Sequence, residues 1–183
     1  MKLRDQRWVM DVDSAEQQLT GNEKLMMLCN PHNPGGTVYT REELEAQLAF
    51  AQRHDLVICS DEIHCDLLLE PGAKHIPIAS LSDEAAQRSV TLMAPSKTYN
   101  IAGLGATIAI IPNKNLRDRF NAERAGLVPN VDILAYVAAE AAYRDGQAWL
   151  DAQLDYLRGN RDLLVKRINA MKGLSTVNLA ATY

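Results

Sequence analysis

Short apolar runs that alternate with helical patterns constrain the fold of this chain most strongly. The run Leu25–Cys29 predicts a strand, and a helix is predicted to begin at Thr40, because Glu43 lies where a capping box needs it. Three further strands are predicted at Leu56–Cys59, Val90–Met93 and Ala106–Ile111. Strands separated by helices are typical of an α/β fold with a mostly parallel sheet. Since the runs are apolar on both faces, we expect helices on each side of this sheet.

The later part of the chain is dominated by helical patterns. A short helix capped by Ser82 is predicted before the strand Val90–Met93, and three longer helices are predicted after the last strand at Leu116–Ala125, Val131–Arg144 and Gln147–Met171. We therefore predict two regions. Residues 1–145 form part of a large sheet domain, and residues 146–183 form a long connecting helix and the start of a smaller C-terminal domain.

Composition and charge narrow the classes of function. With 19 basic and 23 acidic residues the formal net charge is −4, and no basic stripe suggests binding to nucleic acid or to a membrane surface. The apolar runs have the length of strands, far below the ~18–20 residues of a membrane span, and the charged N-terminus shows no secretory signal. Cys29, Cys59 and Cys65 are interpreted as reduced thiols. These features predict a cytoplasmic protein.

Three segments that are rich in polar and turn-forming residues each follow a predicted strand. They are Asn30–Gly36 (Asn-Pro-His-Asn-Pro-Gly-Gly), Ser60–His64 (Ser-Asp-Glu-Ile-His) and Ala94–Asn100 (Ala-Pro-Ser-Lys-Thr-Tyr-Asn). In open α/β sheets, ligands bind outside the carboxyl ends of the strands. We therefore expect the three segments to converge on one site, although they are far apart in the sequence.

Each segment also has a simpler interpretation. The Asn-Pro pairs of residues 30–36 could form only a rigid connecting loop, and Asp61 and Glu62 could cap a strand end or face solvent. Lys97 could be a solvated surface lysine, although a lysine that directly follows a buried strand is also a candidate amine nucleophile. The histidines interpreted as loop or surface residues without a role are His32, His54 and His75.

A metal site is the weaker alternative for the second segment. Its possible ligands are Cys59, Asp61, His64 and Cys65. However, no second pair at a spacing typical of zinc sites is present, and alternate residues of a strand point to opposite faces. We therefore predict no metal.

The order and spacing of the three segments resemble the aminotransferase class I/II family of enzymes, which use pyridoxal phosphate (PLP), and the resemblance runs over essentially the whole chain. It implies half of a PLP-transferase-type large domain, with three α/β/α layers and a mostly parallel sheet. By the family's pattern, Lys97 is implied to bind PLP covalently and to be the catalytic residue. Asp61 is implied to pair with the pyridine nitrogen, which keeps the ring able to take up electrons. Asn33 is implied to bond the phenolic oxygen, and Ser96 to contact the phosphate.

One branch of the family is indicated by His64, which stands three residues after Asp61, where many aminotransferases carry tyrosine. His64 is included among the implied cofactor-binding residues. Residues 61–67 and 96–104 are similar to the branch of cystathionine β-lyases and cysteine-conjugate β-lyases. The implied reaction is β-elimination from a sulfur-containing amino acid, which gives a thiol, pyruvate and ammonia. The alternatives are a PLP-dependent aminotransferase and a non-catalytic remnant or interaction domain of the same fold.

The chain also departs from the family pattern. Gly105 stands where many aminotransferases carry a phosphate-binding arginine, and Ala94 stands where they carry a serine. Family members are longer, with an earlier Gly-rich phosphate loop and a C-terminal domain that supplies an arginine for the substrate carboxylate. We therefore expect an internal piece of a longer protein that is inactive alone. Its uncovered sheet surface is expected to drive association into a homodimer or a larger assembly.

Overall fold

The computed structural model describes residues 1–183 and contains six strands and seven α-helices. The strands are β1 (Lys2–Arg4), β2 (Arg7–Val9), β3 (Leu25–Cys29), β4 (Val57–Asp61), β5 (Ser89–Met93) and β6 (Ile108–Ile110). The helices are α1 (Val12–Gln18), α2 (Arg41–Arg53), α3 (Asp83–Gln87), α4 (Pro95–Thr98), α5 (Lys114–Arg124), α6 (Ile133–Asp145) and α7 (Gln147–Asn169).

A four-stranded sheet with the order β3-β4-β5-β6 organises the fold. The first three strands are parallel, and β6 is antiparallel to β5. In this register Asp61 lies opposite Cys29 on one side and opposite Leu92 on the other. The carboxyl ends of the three parallel strands therefore meet at one edge, and the predicted α/β fold with a mostly parallel sheet is confirmed.

Helix α2 covers one face of this sheet. It begins as predicted, because the Thr40 hydroxyl accepts from the Glu43 amide while the Glu43 carboxylate accepts from the Thr40 amide. The apolar stripe of the helix, which consists of Leu44, Leu48 and Ala51, is buried against Met26, Leu28 and Ile58 of the sheet. Burial of each large aliphatic side chain contributes about 1.5–3 kcal/mol, so this contact is a major source of stability.

The opposite face of the sheet is open along β3, whereas helices were expected on both sides of the sheet. Leu25 and Met27 of β3 are 52% and 79% exposed, and all of β6 is exposed. The runs are apolar on both faces as the sequence indicates, but α2 and the first helix α1 pack on one face only. The apolar runs therefore predicted the strands correctly, but they did not predict which face of the sheet the helices cover.

Helices α3, α5, α6 and α7 agree with the sequence patterns within two residues at each end, and Gly159 lies inside α7 as expected. The antiparallel β1–β2 hairpin and the helices α1 and α4 were not predicted. Helices α6 and α7 meet at Gly146, which is also where the predicted division into two regions falls. That division stays a prediction. None of the helices is both long enough and apolar enough to cross a membrane.

Candidate active site

Asp61 occupies the carboxyl end of the middle strand of the parallel set. It is the last residue of β4, whereas the apolar run had predicted that the strand ends at Cys59. One carboxylate oxygen of Asp61 accepts a hydrogen bond from the Ile63 backbone amide at 3.2 Å. The backbone carbonyl of Asp61 accepts from the Asn30 backbone amide at 3.0 Å. The open face of the sheet, on which Asp61 lies with Cys59, leaves its carboxylate partly exposed.

His64 is the buried centre of the candidate site. The side-chain nitrogen Nδ2 of Asn33 lies 3.4 Å from His64 Nε2 and donates a hydrogen bond to it. Because Nε2 accepts this bond, a neutral His64 ring carries its proton on Nδ1. This Nδ1 is buried without a partner. Burial lowers the pKa of His64, the nearby Lys97 charge lowers it further, and Asp61 opposes both effects. The charges of Lys97 and Asp61 therefore act on one ring that also contacts Asn33.

Lys97 and Ser96 lie on the single turn of helix α4. The turn begins after Ala94, which is extended, and Pro95 at the first helical position has a backbone angle that suits a helix start. The fully buried Thr98 anchors the turn, because its hydroxyl donates to Asp66 at 3.3 Å. The side chains of Ser96 and Lys97 stay partly exposed.

The sequence predicted that the three segments converge, and the strands that precede them, β3, β4 and β5, end at one edge of the sheet, where Asn33 contacts the His64 ring. Ser96 is adjacent to Lys97 in the same turn. Individual roles stay predictions for Asn33, Asp61, His64, Ser96 and Lys97.

The C-terminal segment adds a residue that the sequence analysis did not assign to the site. The Ala180 and Ala181 amides donate to the Gly36 carbonyl at 2.9 and 3.1 Å, and the Thr182 amide donates to the Leu67 carbonyl at 2.9 Å. These bonds place the Tyr183 ring edge-to-face with His64, at a centroid distance of 5.7 Å. Only long-range pairing creates this contact, so no local pattern could have predicted it.

Two residues after β4 are more buried than the simpler interpretation of the sequence suggests. His75 lies on a loop, as expected, but it is not a surface residue, because its side chain is 9% exposed and its Nε2 lies 2.7 Å from a carboxylate oxygen of Glu62. Glu62 does not face solvent but is completely buried. A carboxylate that directly follows a strand carries no local signal of the histidine that will pair with it.

The chemistry of the donor set fits PLP. An amine, a carboxylate, an amide and a hydroxyl match the aldehyde, the pyridine nitrogen, the phenolic oxygen and the phosphate of the cofactor, and the unpaired Nδ1 of His64 is a buried polar atom beside them. No group of three or more His, Cys, Asp or Glu side chains is placed so that it could hold a metal ion. The three cysteines are free, and burial raises the pKa of each thiol, in the case of Cys65 to about 12.

Comparison with known proteins agrees with this site. Residues 2–183 match the family model of aminotransferase class I and II, and the chain belongs to this family. Cystathionine beta-lyase PatB of Bacillus subtilis (strain 168) is 44% identical over 160 residues, which are 86% of this chain and 41% of the relative. Protein MalY of Escherichia coli (strain K12) is 36% identical over 166 residues, which are 89% of this chain and 42% of the relative.

Solved structures share the fold over the whole chain. The crystal structure of OvoB is 69% identical with a TM-score of 0.97, and the match covers 100% of this chain and 48% of that one. The PLP-bound C-S lyase from Staphylococcus hominis is 34% identical with a TM-score of 0.86, over 96% of this chain and 44% of that one. The predicted PLP-transferase-type fold and the PLP cofactor of the family are thereby confirmed. The chain spans less than half the length of these relatives.

Proposed function

We propose that the chain carries the PLP-binding residues of a carbon–sulfur β-lyase. The observation that carries this proposal is that the strands preceding Asn33, Asp61 and Lys97 end at one edge of the sheet, where the buried His64 ring contacts Asn33. An amine and a carboxylate at neighbouring strand ends are the pair of groups that PLP chemistry uses. The substrate class and the activity rest on the similarity to relatives that are named as lyases.

Each side chain has a defined task in this proposal. Lys97 Nζ holds the cofactor covalently and, once it is released, removes the proton from Cα of the amino acid. The Asp61 carboxylate accepts the N–H of the pyridine ring, and Asn33 Nδ2 donates to the phenolic oxygen. The Ser96 hydroxyl donates to the phosphate. Bound PLP supplies the electron sink that makes the Cα proton acidic.

The lyase proposal concerns what happens after the proton has moved to Lys97. When the substrate carries sulfur on Cβ, loss of the Cα proton allows the C–S bond to break, and the sulfur leaves as a thiolate that takes up a proton. Hydrolysis of the remaining three-carbon unit gives pyruvate and ammonia. A sulfur-containing amino acid such as cystathionine is therefore the proposed substrate class.

An aminotransferase is the second candidate. Aromatic-amino-acid aminotransferase 2 of Thermococcus litoralis (strain ATCC 51850 / DSM 5473 / JCM 8560 / NS-C) is 32% identical over 171 residues, so the chain is also similar to a relative with that name. Both activities use the Lys97 proton transfer. They differ in whether the amino group is released as ammonia or passed to a keto acid.

An absorption spectrum of the chain with PLP tests the cofactor site. We expect a band in the visible or near-ultraviolet region that borohydride converts to a stable adduct on Lys97, and that Lys97→Ala abolishes. The matched control is Lys74→Ala, because Lys74 is an exposed lysine on a loop. A band that survives Lys97→Ala, or the absence of any band, contradicts the proposed site.

The reaction is tested with cystathionine as the substrate. Pyruvate release that depends on Lys97, without an added keto acid, supports the lyase proposal. Amino transfer that requires a keto acid and gives no pyruvate supports the aminotransferase instead. Binding of PLP without either activity separates cofactor binding from catalysis in this chain.

A further inference from the structure

A buried carboxylate lies directly behind the proposed cofactor site. Glu62 follows Asp61 and is fully buried, although burial of an ionised group is costly unless hydrogen bonds and an opposite charge compensate. One of its oxygens accepts from the Ser60 hydroxyl at 2.8 Å and from the Ile78 amide at 3.4 Å. The other oxygen accepts from His75 Nε2 at 2.7 Å. Both oxygens of Glu62 therefore have hydrogen-bond partners within the protein.

The residues His75–Ile78, here called the strap, bond to two strand ends at once. Its His75 and Ile78 bond Glu62 after β4, and its Ile76 carbonyl accepts from the Asn30 side chain at 3.1 Å after β3. Asn30 is also fully buried, and its side-chain oxygen accepts from the Tyr39 amide at 3.3 Å. The strap thus holds Asn30 and Glu62, which follow β3 and β4 and belong to the segments that carry Asn33 and Asp61.

The geometry of β4 transmits this contact to the cofactor side. Successive residues of a strand point to opposite faces, so Ser60 and Glu62 point to the covered face while Asp61 points to the open one. The Glu62 amide also donates to the Leu92 carbonyl at 2.9 Å, which continues the pairing with β5 beyond the end of the strand. With Glu62 held on one side, the backbone of Asp61 is fixed, and its carboxylate is directed to the other side, where it accepts from the Ile63 amide.

We propose that the buried Glu62–His75 pair is a positioning device that fixes the orientation of Asp61 toward the pyridine nitrogen of PLP. This inference rests on the proposed function and adds two residues that touch neither cofactor nor substrate. His75 acts through Glu62, and Glu62 acts through the backbone it shares with Asp61. Loss of the pair should therefore weaken cofactor binding and change the state of the pyridine nitrogen.

The test uses the 183-residue chain with PLP labelled with ¹⁵N at the ring nitrogen. Two quantities are measured, the dissociation constant of PLP and the ¹⁵N resonance of the bound ring, which reports whether that nitrogen is protonated. By analogy with buried partners of metal ligands, His75→Ala is expected to weaken binding about 10- to 100-fold. It should also move the resonance toward that of an unprotonated ring. His75→Gln should restore both quantities, because its amide nitrogen can donate to Glu62.

The control separates positioning from a general loss of stability. Leu44→Ala removes a fully buried aliphatic side chain of α2 from the core cluster that also contains Ile78, but it deletes no hydrogen-bond partner of Glu62 or His75, and it is expected to destabilise the chain. If Leu44→Ala changes binding and the ¹⁵N resonance as much as His75→Ala does, or if His75→Gln restores neither, the positioning role is wrong. If the unaltered chain binds no PLP, the proposed function fails and the inference fails with it. The two failures are thus distinguishable.

Discussion

Gly36 connects the loop that carries Asn33 to the C-terminal segment, and its replacement by alanine tests how closely the two pack. Gly36 is buried and has a φ of +64°, in the left-handed region that favours glycine. A Cβ atom added there would lie 2.6 Å from Leu179 Cδ2 and 2.7 Å from Leu179 Cβ. Rotation of the Leu179 side chain moves Cδ2 away but not Cβ, so the backbone of the segment must shift.

The cost of Gly36→Ala has two parts. The left-handed conformation costs a residue with a Cβ about 1–2 kcal/mol. Crowding against packed atoms costs about 1–3 kcal/mol more. The expected loss in the free energy of unfolding is therefore about 2–5 kcal/mol, part of which reflects weakened bonds from Ala180 and Ala181 to the Gly36 carbonyl.

Gly72→Ala is the matched control for this experiment. Gly72 has a φ of +80°, and a Cβ atom there would meet no atom within 4 Å. It should therefore show only the conformational part, about 1–2 kcal/mol. Urea unfolding of both variants measures the difference. If the two variants lose the same stability, the close packing of Leu179 on Gly36 is wrong.

Two further predictions concern acid stability and association. Burial lowers the pKa of His64 in the folded chain below its ordinary value of about 6.5. As the pH falls, the unfolded chain therefore takes up a proton on His64 before the folded chain does. The free energy of unfolding should decrease as the pH drops below about 6.5 and become constant below the pKa of the folded chain. Urea unfolding between pH 5 and 7.5 measures this slope, and a slope that His64→Gln does not flatten contradicts the assignment. We also propose that the open sheet face associates with a second copy, so Leu25→Lys on edge strand β3 should lower the mass measured by light scattering, whereas equal masses at all concentrations count against it.

The elements with local signals were predictable from the sequence. The bounds of β3 agree at both ends, and α2 begins where the capping box of Thr40 and Glu43 indicates. Both signals depend only on residues close together in the chain. The end of β4 was not predictable, because the strand continues through Ser60 and Asp61 by pairing with its neighbours and not by apolarity.

Features that depend on unusual backbone or on long-range contacts were missed. The turn of the β1–β2 hairpin places Asp5 and Gln6 at φ values of 47° and 61°, and a turn without glycine gives a weak signal in the sequence. The site residues were found through their order in the sequence, whereas Tyr183 and His75 reach their partners only in the folded chain. Single-residue patterns contain no information about such partners.

The adjacent carboxylates Asp61 and Glu62 show how the register of one strand decides chemistry. A shift of β4 by one residue would exchange their faces, bury Asp61 and place Glu62 on the open side. The fully buried Ile58 lies on the same face as Glu62, against the α2 layer, so this shift would also expose Ile58. Burial of Ile58 and pairing of Glu62 with His75 therefore favour the same register. The packing that stabilises the sheet thus also turns Asp61 to the other face, where we propose that the cofactor binds.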